Sequence, residues 1–267
     1  HMSEHESIWL HENTWRDVET YLESRSSPTV IVPIGSTEQH GPHLPLGVDG
    51  YQARDLAEGI AREADVLAAP PIWYGDADHH LGFPGTVSLS TETVVAVLGD
   101  VYDSLVGHGF ENVLTVNGHR IANLRAIETA MQEAEQRHDD AVFAAVDPLR
   151  IGVRLHRRLR DGDPEDGMHG GEFETSFMLY RHPDLVEESE FVPERHEGFS
   201  RFQSDDLVGL DDTVILPSSR RTPGEGYLGH VGDPTLASEE KGEALYAELV
   251  ATAVEFLEEL AAHRAED

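Results

Sequence analysis

Thr29-Val30-Ile31-Val32-Pro33-Ile34 runs straight into Gly35-Ser36-Thr37-Glu38-Gln39-His40-Gly41-Pro42-His43-Leu44-Pro45-Leu46-Gly47-Val48-Asp49, and this junction decides the fold. The first six residues are apolar and rich in β-branched side chains, which suits a rigid strand. The next fifteen carry Gly and Pro between two carboxylates and two imidazoles. A loop of that composition lets polar side chains converge beyond the end of a sheet. Glu38 and His40 stand two apart, so in extended chain they point the same way and can grip one cation or two neighbouring ones. Taken alone, the pair reads equally as a solvated loop; later segments decide between the two readings.

Working outward, apolar strands alternate with amphipathic helices, the signature of an α/β domain with a largely parallel sheet. Thr14 is placed to cap a helix through Leu22. Asp49 stands where the next helix starts, with Ala53, Leu56, Ala57, Ile60 and Ala64 as its buried stripe. Val66 to Ala69 reads as a short strand. Ser90 caps a helix with Val94, Leu98, Val101 and Leu105 on one side, ended at Gly107 and Gly109. Asn112 to Val116 is a strand that leads into Asn117-Gly118-His119. A helix through Leu124, Ile127, Met131 and Ala134, a strand from Ala141 to Val146, and a last helix from Ser238 complete the pattern. Residues 183–234 are rich in Pro, Gly and charge and read as long loops. No internal repeat or domain boundary shows, so residues 3–267 are expected to form one domain, with His1-Met2 read as a cloning remnant.

Composition narrows the chemistry. The chain holds 51 acids against 18 arginines and a single lysine, Lys241, for a net charge of −32. Such self-repulsion is relieved when salt shortens the screening length, to about 3 Å at 1 M, so the chain reads as adapted to a salt-rich cytoplasm. Phosphate contact needs a basic surface, which argues against nucleic-acid binding. No stretch reaches the roughly 20 apolar residues of a membrane span, and no secretory leader is evident, so a soluble cytoplasmic protein is expected. There are no cysteines. Any metal is therefore held by His, Asp and Glu, which points to Zn²⁺, Mn²⁺, Fe²⁺ or Mg²⁺.

Three polar clusters follow strands or lead helices: Glu38/His40/Asp49, then His119, then His169-Gly170-Gly171-Glu172-Phe173-Glu174-Thr175-Ser176. Strand C-termini of an open parallel sheet share one edge, so these clusters can meet there. Gly118 permits a close backbone approach and lets the turn throw His119 outward. Taken alone, His119 reads first as a satisfied polar histidine and second as a ligand.

Gly35-Ser36-Thr37-Glu38-Gln39-His40-Gly41-Pro42-His43-Leu44-Pro45-Leu46, Phe83-Pro84-Gly85-Thr86, Asn117-Gly118-His119, His169-Gly170-Gly171-Glu172-x-Glu174-Thr175-Ser176 and Gly232-Asp233-Pro234 together resemble the creatininase (creatinine amidohydrolase) family, in order and spacing, from about Trp15 to Phe256. The resemblance implies a single-domain α/β/α sandwich around a mostly parallel sheet, a homohexamer built as a trimer of dimers, and a site for two divalent ions, Zn²⁺ and/or Mn²⁺, with Fe²⁺ as a further option. It implies Glu38 and His119 as ligands of one ion, His40 of the other, and Asp49 as the bridge. Creatininase proper draws its remaining carboxylate from two positions after the histidine of the Asn-Gly-His turn. Here that position is Ile121, and Glu172 is expected to supply the carboxylate instead. Three carboxylates against two divalent ions leave room for one hydroxide near neutrality, which supplies a nucleophile to a cysteine-free chain. His169 resembles the family's proton-transfer histidine.

Glu174 is expected to serve hydrogen bonds at its helix start, and His79, Asp76 and Asp78 to form a solvated acidic loop. His43 and His80 are candidates for substrate contact or for orienting the ligands. Arg120 is a candidate for an anionic substrate group, or pairs with one of the many acids. Trp73 and Tyr74 line a pocket or pack in the core. The expected function is binuclear metal-dependent hydrolysis of a non-peptide C–N bond in a small molecule, a cyclic amide or formamide, of the creatinine amidohydrolase type. The alternatives are a formamidopyrimidine nucleotide deformylase of archaeal flavin or deazaflavin synthesis, a peptidase acting on a cofactor precursor, and a non-catalytic metal- or metabolite-binding protein on the same fold.

Overall fold

In the computed structural model, which describes residues 7–167, 169–195, 223 and 227–264, strand β1 (Thr29–Ile34) lies inside a sheet of order β2-β1-β3-β4. Its partners are β2 (Leu67–Ala68) and β3 (Asn112–Asn117), and β3 pairs in turn with β4 (Val142–Val146). Every pairing is parallel. Thr29 to Ile34 register one for one with Asn112 to Asn117, so the two strands end level and their following loops leave from the same edge.

Side-chain alternation along the strands sorts the helices into two layers. Ile31, Leu114, Val116 and Val146 pack with α2 (Val48–Ala64), α7 (Glu172–Arg181) and α8 (Glu239–Arg264), through residues such as Leu56, Ile60, Phe177, Met178, Leu249 and Val250. Val30, Val32, Ile34 and Val113 face the opposite way, onto α1 (Trp15–Ser24), α3 (Thr91–Gly107) and α4 (Arg120–Glu135), where Tyr21, Leu98, Tyr102 and Ile127 are buried. The result is the expected α/β/α sandwich around a parallel sheet. The Tyr102 hydroxyl stays satisfied inside its layer by a 2.6 Å hydrogen bond with Thr115.

Local signals account for the helix ends. Thr14 and Asp17 form a reciprocal capping box on α1, and the Ser90 hydroxyl accepts the Thr93 N–H at the start of α3. Between β4 and α7 lie α5 (Pro148–Ile151) and α6 (Val153–Leu159), which the hydrophobic period did not announce. The expected loop region 183–234 falls largely outside the described residues. Its described beginning holds single turns at Pro183–Leu185 and Glu188–Glu190, and Glu194 forms a bridge with Gly232. Among the described residues no helix is long and apolar enough to cross a membrane.

Candidate metal centre

The level ends of β1 and β3 are pressed against the first turn of α2. A Cβ on Gly35 would lie 2.4 Å from the Asp49 carbonyl carbon, and one on Gly118 would lie 2.0 Å from the Asp49 carbonyl oxygen. Both positions therefore demand glycine, and both deliver Asp49 to the sheet edge. The Asn117 side chain accepts the His119 N–H at 3.1 Å and so fixes the turn that carries His119.

Around Asp49 the donors close in from both sides. Its Oδ1 lies 3.2 Å from His40 Nε2 and its Oδ2 lies 3.0 Å from His119 Nδ1. Ser36 donates to Oδ2 at 2.5 Å. Glu38 Oε1 is 3.4 Å from His119 Nδ1 and 4.0 Å from His40 Nε2. Of four groups of donor atoms among the described residues, two share Asp49, Glu38/Asp49/His119 and His40/Asp49/Glu174; the others are Glu38/His40/His169 and Glu38/His79/His80. Glu38, His40 and Asp49 are all 2% exposed or less.

The third carboxylate that the structure brings to these groups is Glu174; Glu172, expected there, lies in none of them. Glu174 Oε2 stands 3.6 Å from His40 Nε2 and accepts the Gly170 N–H at 2.6 Å. Glu172 is fully buried on another side of the helix, where it accepts the Asp161 N–H at 3.0 Å and pairs with Lys241. Residues two apart on an α-helix differ by about 200° in direction, so only one of them can face this point.

The imidazoles are locked in the orientation that a metal ligand needs. His40 Nδ1 donates to the Glu38 carbonyl at 3.1 Å, which leaves Nε2 for the carboxylates. His119 Nε2 donates to the Asp76 carbonyl at 2.8 Å, which leaves Nδ1. Second-ring-nitrogen bonds of this kind fix the tautomer of a ligating histidine. Two buried atoms, Glu38 Oε2 and His40 Nε2, have no hydrogen-bond partner. Buried polar atoms without partners are costly, and a divalent cation would satisfy both. Three carboxylates, two oriented imidazoles and no sulfur suit a hard or borderline divalent ion.

The electrostatics agree. Burial alone would strip protons from His40, but Asp49 and Glu174 hold its pKa up at about 10. His119 is likewise held at about 10, against burial, by Glu38 and Asp49. Burial lifts Glu38 to about 8, although the charge of His119 opposes it. Asp49 goes the other way, well below the usual carboxylate range: His40 and His119 outweigh its burial. The centre is a buried, negatively polarised socket that retains positive charge.

His169 stacks against it. Its Nε2 donates to the Gln39 carbonyl at 2.6 Å, so Nδ1 presents a lone pair 3.6 Å from Glu38 Oε1. Burial, with His40 and His80 nearby, holds it neutral, well below the ordinary imidazole range. His80 stacks on His169 at 4.3 Å, takes a 2.8 Å bond with the Gln39 amide and brings Nε2 to 3.9 Å from Glu38 Oε1. His79, expected in a solvated loop, instead forms a further donor group with Glu38 and His80.

Two other candidates sit outside the donor groups. His43 is buried behind the site, bonded to the Gly170 carbonyl at 2.8 Å and packed on His230, where it shapes the entry to α7. Arg120 lies 3.7 Å from Asp147 and turns into a cavity lined by Gln52, His156, Phe173 and Glu174. Trp73 packs edge-on against Tyr51, and Tyr74 is 47% exposed. Sequence reasoning missed Glu174 and His79 as donors. The signal for Glu174 was its place at the third helical position, where a carboxylate reaches back to the N–H groups ahead of the helix.

The description creatinine amidohydrolase (creatininase) belongs to the family model that matches residues 11–257. The chain is a member of the creatininase family, a family of hydrolases. A mycofactocin precursor peptide peptidase of Mycolicibacterium smegmatis is 32% identical over 229 residues, spanning 84% of this chain and 81% of the relative. A creatinine amidohydrolase of Pseudomonas putida is 27% identical over 252 residues, spanning 90% and 92%. Among solved creatininases, a variant named as the Zn-Zn type superposes with a TM-score of 0.76 at 25% identity, covering 95% of this chain and 98% of that one. A form named with Mn gives 0.74 at 25% identity, with the same coverage. The fold of this chain is therefore that of a creatininase-family hydrolase, and its donor cluster includes a carboxylate on α7.

Proposed function

We propose that the chain is a two-metal hydrolase that cleaves the C–N bond of a small cyclic amide or formamide, in the manner of a creatinine amidohydrolase. The observation that carries this reading is the sharing of Asp49 between two donor groups whose other members, Glu38 with His119 and His40 with Glu174, face it from opposite sides. Zn²⁺ or Mn²⁺ fits this donor set, and the solved creatininases named above include Zn-Zn and Mn forms. When bound, such ions polarise a carbonyl oxygen and acidify a water molecule.

The rest of the work falls to side chains. Asp49 would be shared by both ions, and Ser36 and the two imidazoles fix its oxygens in place. The buried rim keeps bulk water from competing for the reacting centre. His169 enters the reaction neutral, with its Nε2–H fixed on the Gln39 carbonyl. Its Nδ1 would take a proton from the attacking water and pass it to the nitrogen that leaves as the C–N bond breaks. His80, stacked on the same ring, keeps that nitrogen aimed into the site.

A second reading, trimming of a short modified peptide, is favoured by the 32% identity to the mycofactocin precursor peptide peptidase. Ile121 supports it, because the side chain two places after His119 supplies no carboxylate, a departure from creatininase proper. Turnover on creatinine, formamidopyrimidine nucleotides and short peptides, measured in molar salt with and without chelator, separates the readings. Chelation is expected to abolish activity and Mn²⁺ or Zn²⁺ to restore it. Stoichiometric metal binding without turnover on any of the three classes would favour a metal- or metabolite-binding protein instead. We further propose a cytoplasmic homohexamer, as the family resemblance implies.

A further inference from the structure

Of the 19 lysines and arginines, only Lys241 is a lysine, and it does not face solvent. It lies in the first turn of α8 with its side chain 12% exposed. Its Nζ sits among three oxygens from three segments: Glu172 on α7, Asp161 Oδ2 at 2.6 Å in the connection after α6, and the Leu236 carbonyl at 2.7 Å just before α8. Three acceptors converging on one point match the three N–H bonds of an ammonium group. A guanidinium spreads five donors over a plane and cannot gather them there. In a chain otherwise built with arginine, this position demands lysine.

What the ammonium holds is the first turn of α7. Glu172 is fully buried, and without a cation its charge would be strongly destabilising there. The same turn is fastened to α8 at its backbone. Ser176 Oγ donates to the Glu172 carbonyl at 2.6 Å and accepts the Ser238 N–H at 3.0 Å. Gly242 packs so close that a Cβ would lie 2.0 Å from the Ser176 carbonyl oxygen. Two residues beyond Glu172, the same rigid turn carries Glu174 to its place 3.6 Å from His40. At a side-chain radius of about 6 Å, a rotation of about 10° about the helix axis moves that carboxylate by roughly 1 Å.

We propose that Lys241 is a positioning residue for the metal centre: its bond to Glu172 sets the rotation of α7 and thereby the placement of Glu174 as the third carboxylate of the second ion. This rests on the two-ion reading given above. The coupling is mechanical and needs no contact between Lys241 and an ion.

The test is metal stoichiometry and affinity, measured by mass spectrometry of the protein dialysed against buffered Mn²⁺ or Zn²⁺, alongside thermal unfolding. The proteins are the wild type, Lys241→Arg, Lys241→Met, Glu172→Gln and the double variant Lys241→Met/Glu172→Gln. The single variants are expected to bind the second ion 10- to 100-fold more weakly and the first ion unchanged. The double variant removes the unpaired buried charge, so it is expected to recover stability but not second-ion affinity. It also keeps the test alive if Lys241→Met does not fold. Unchanged second-ion affinity in a folded single variant would overturn the proposal. So would a double variant whose affinity recovers in step with its stability, because that is the behaviour of a purely structural pair. A wild type that binds fewer than two ions would instead overturn the two-ion reading, and this inference with it.

Discussion

Replacing Glu174 by Gln is the sharpest perturbation available, because it removes one charge and almost no shape. The Gln side-chain oxygen can still accept the Gly170 N–H that Glu174 now accepts at 2.6 Å, so α7 keeps its entry. The protonated His40 ring, 3.6 Å from Glu174 Oε2, serves as a reference cation. At that separation, with an effective dielectric of about 20, two unit charges attract by about 4–5 kcal/mol. If roughly half is returned as desolvation, about 2 kcal/mol remains per unit charge, or about 4 kcal/mol for a divalent ion. That corresponds to about three orders of magnitude in affinity for the ion shared with His40. The ion held by Glu38 and His119 keeps its own donors and is expected to stay. Dialysis against buffered Mn²⁺ followed by metal analysis should give two ions per chain for the wild type and one for the variant over a broad window of free metal. Glu172→Gln, which removes no donor from either group, should cost at least ten-fold less. If Glu174→Gln binds both ions as tightly as the wild type, or if Glu172→Gln is the more damaging, the assignment of the third carboxylate is wrong.

Other outcomes follow from the same geometry. His169→Gln should leave both ions bound but lower kcat by about 10²- to 10⁴-fold, the usual contribution of a positioned proton carrier, and equal kcat in the two proteins would remove His169 from the reaction. Gly118→Ala would put a methyl group 2.0 Å from the Asp49 carbonyl oxygen, so the end of β3 and the start of α2 must part; a loss of about 3 kcal/mol or more in urea unfolding is expected together with weakened binding of both ions. Asp55, buried between His182 at 2.6 Å and Arg54 at 2.7 Å, keeps its pKa below the ordinary carboxyl range because those bonds outweigh burial. Its stabilisation is therefore complete above the unfolded carboxyl value of about 3.9 and lost as the pH falls through the lower folded value. Asp55→Asn should cost about 3 kcal/mol at pH 7, with the deficit narrowing in acid, and a deficit that widened below about pH 4 would contradict this. The net charge of −32 predicts that the melting temperature rises between about 0.1 and 1 M KCl; a flat profile would count against salt adaptation.

How far the sequence could be read depended on which symmetry each step required. The β-branched apolar runs of Thr29–Ile34 and Asn112–Asn117, buried on both faces, need no knowledge of neighbours, and both strands, with the loops that leave them, stood out. Glu38, His40, Asp49 and His119 sit on or just after strand ends that share an edge, so they could be read as one cluster, but their reading as ligands came from the resemblance to the creatininase family and not from the pattern itself. Glu172 and Glu174 are different. Both open α7, and local sequence leaves the rotation of a helix about its axis undetermined. That rotation is set by packing against α8, through Ser176, Gly242 and Lys241, about 70 residues away in the chain. The partner of Glu172 was not legible either: Glu172 read as a metal ligand, and Lys241, a distant residue in the chain, was one of 19 cations that could have met an inward carboxylate. His79 escaped for the converse reason: flanking acids made its segment read as solvated, whereas the 2.5 Å bond from Thr91 to Asp76 and the bond from His119 to the Asp76 carbonyl tie that loop over the donor cluster. A donor's identity can thus be read locally, but its direction belongs to whichever distant element packs behind it. The substitution of Lys241 perturbs only that distant element, and so tests this point apart from the donors themselves.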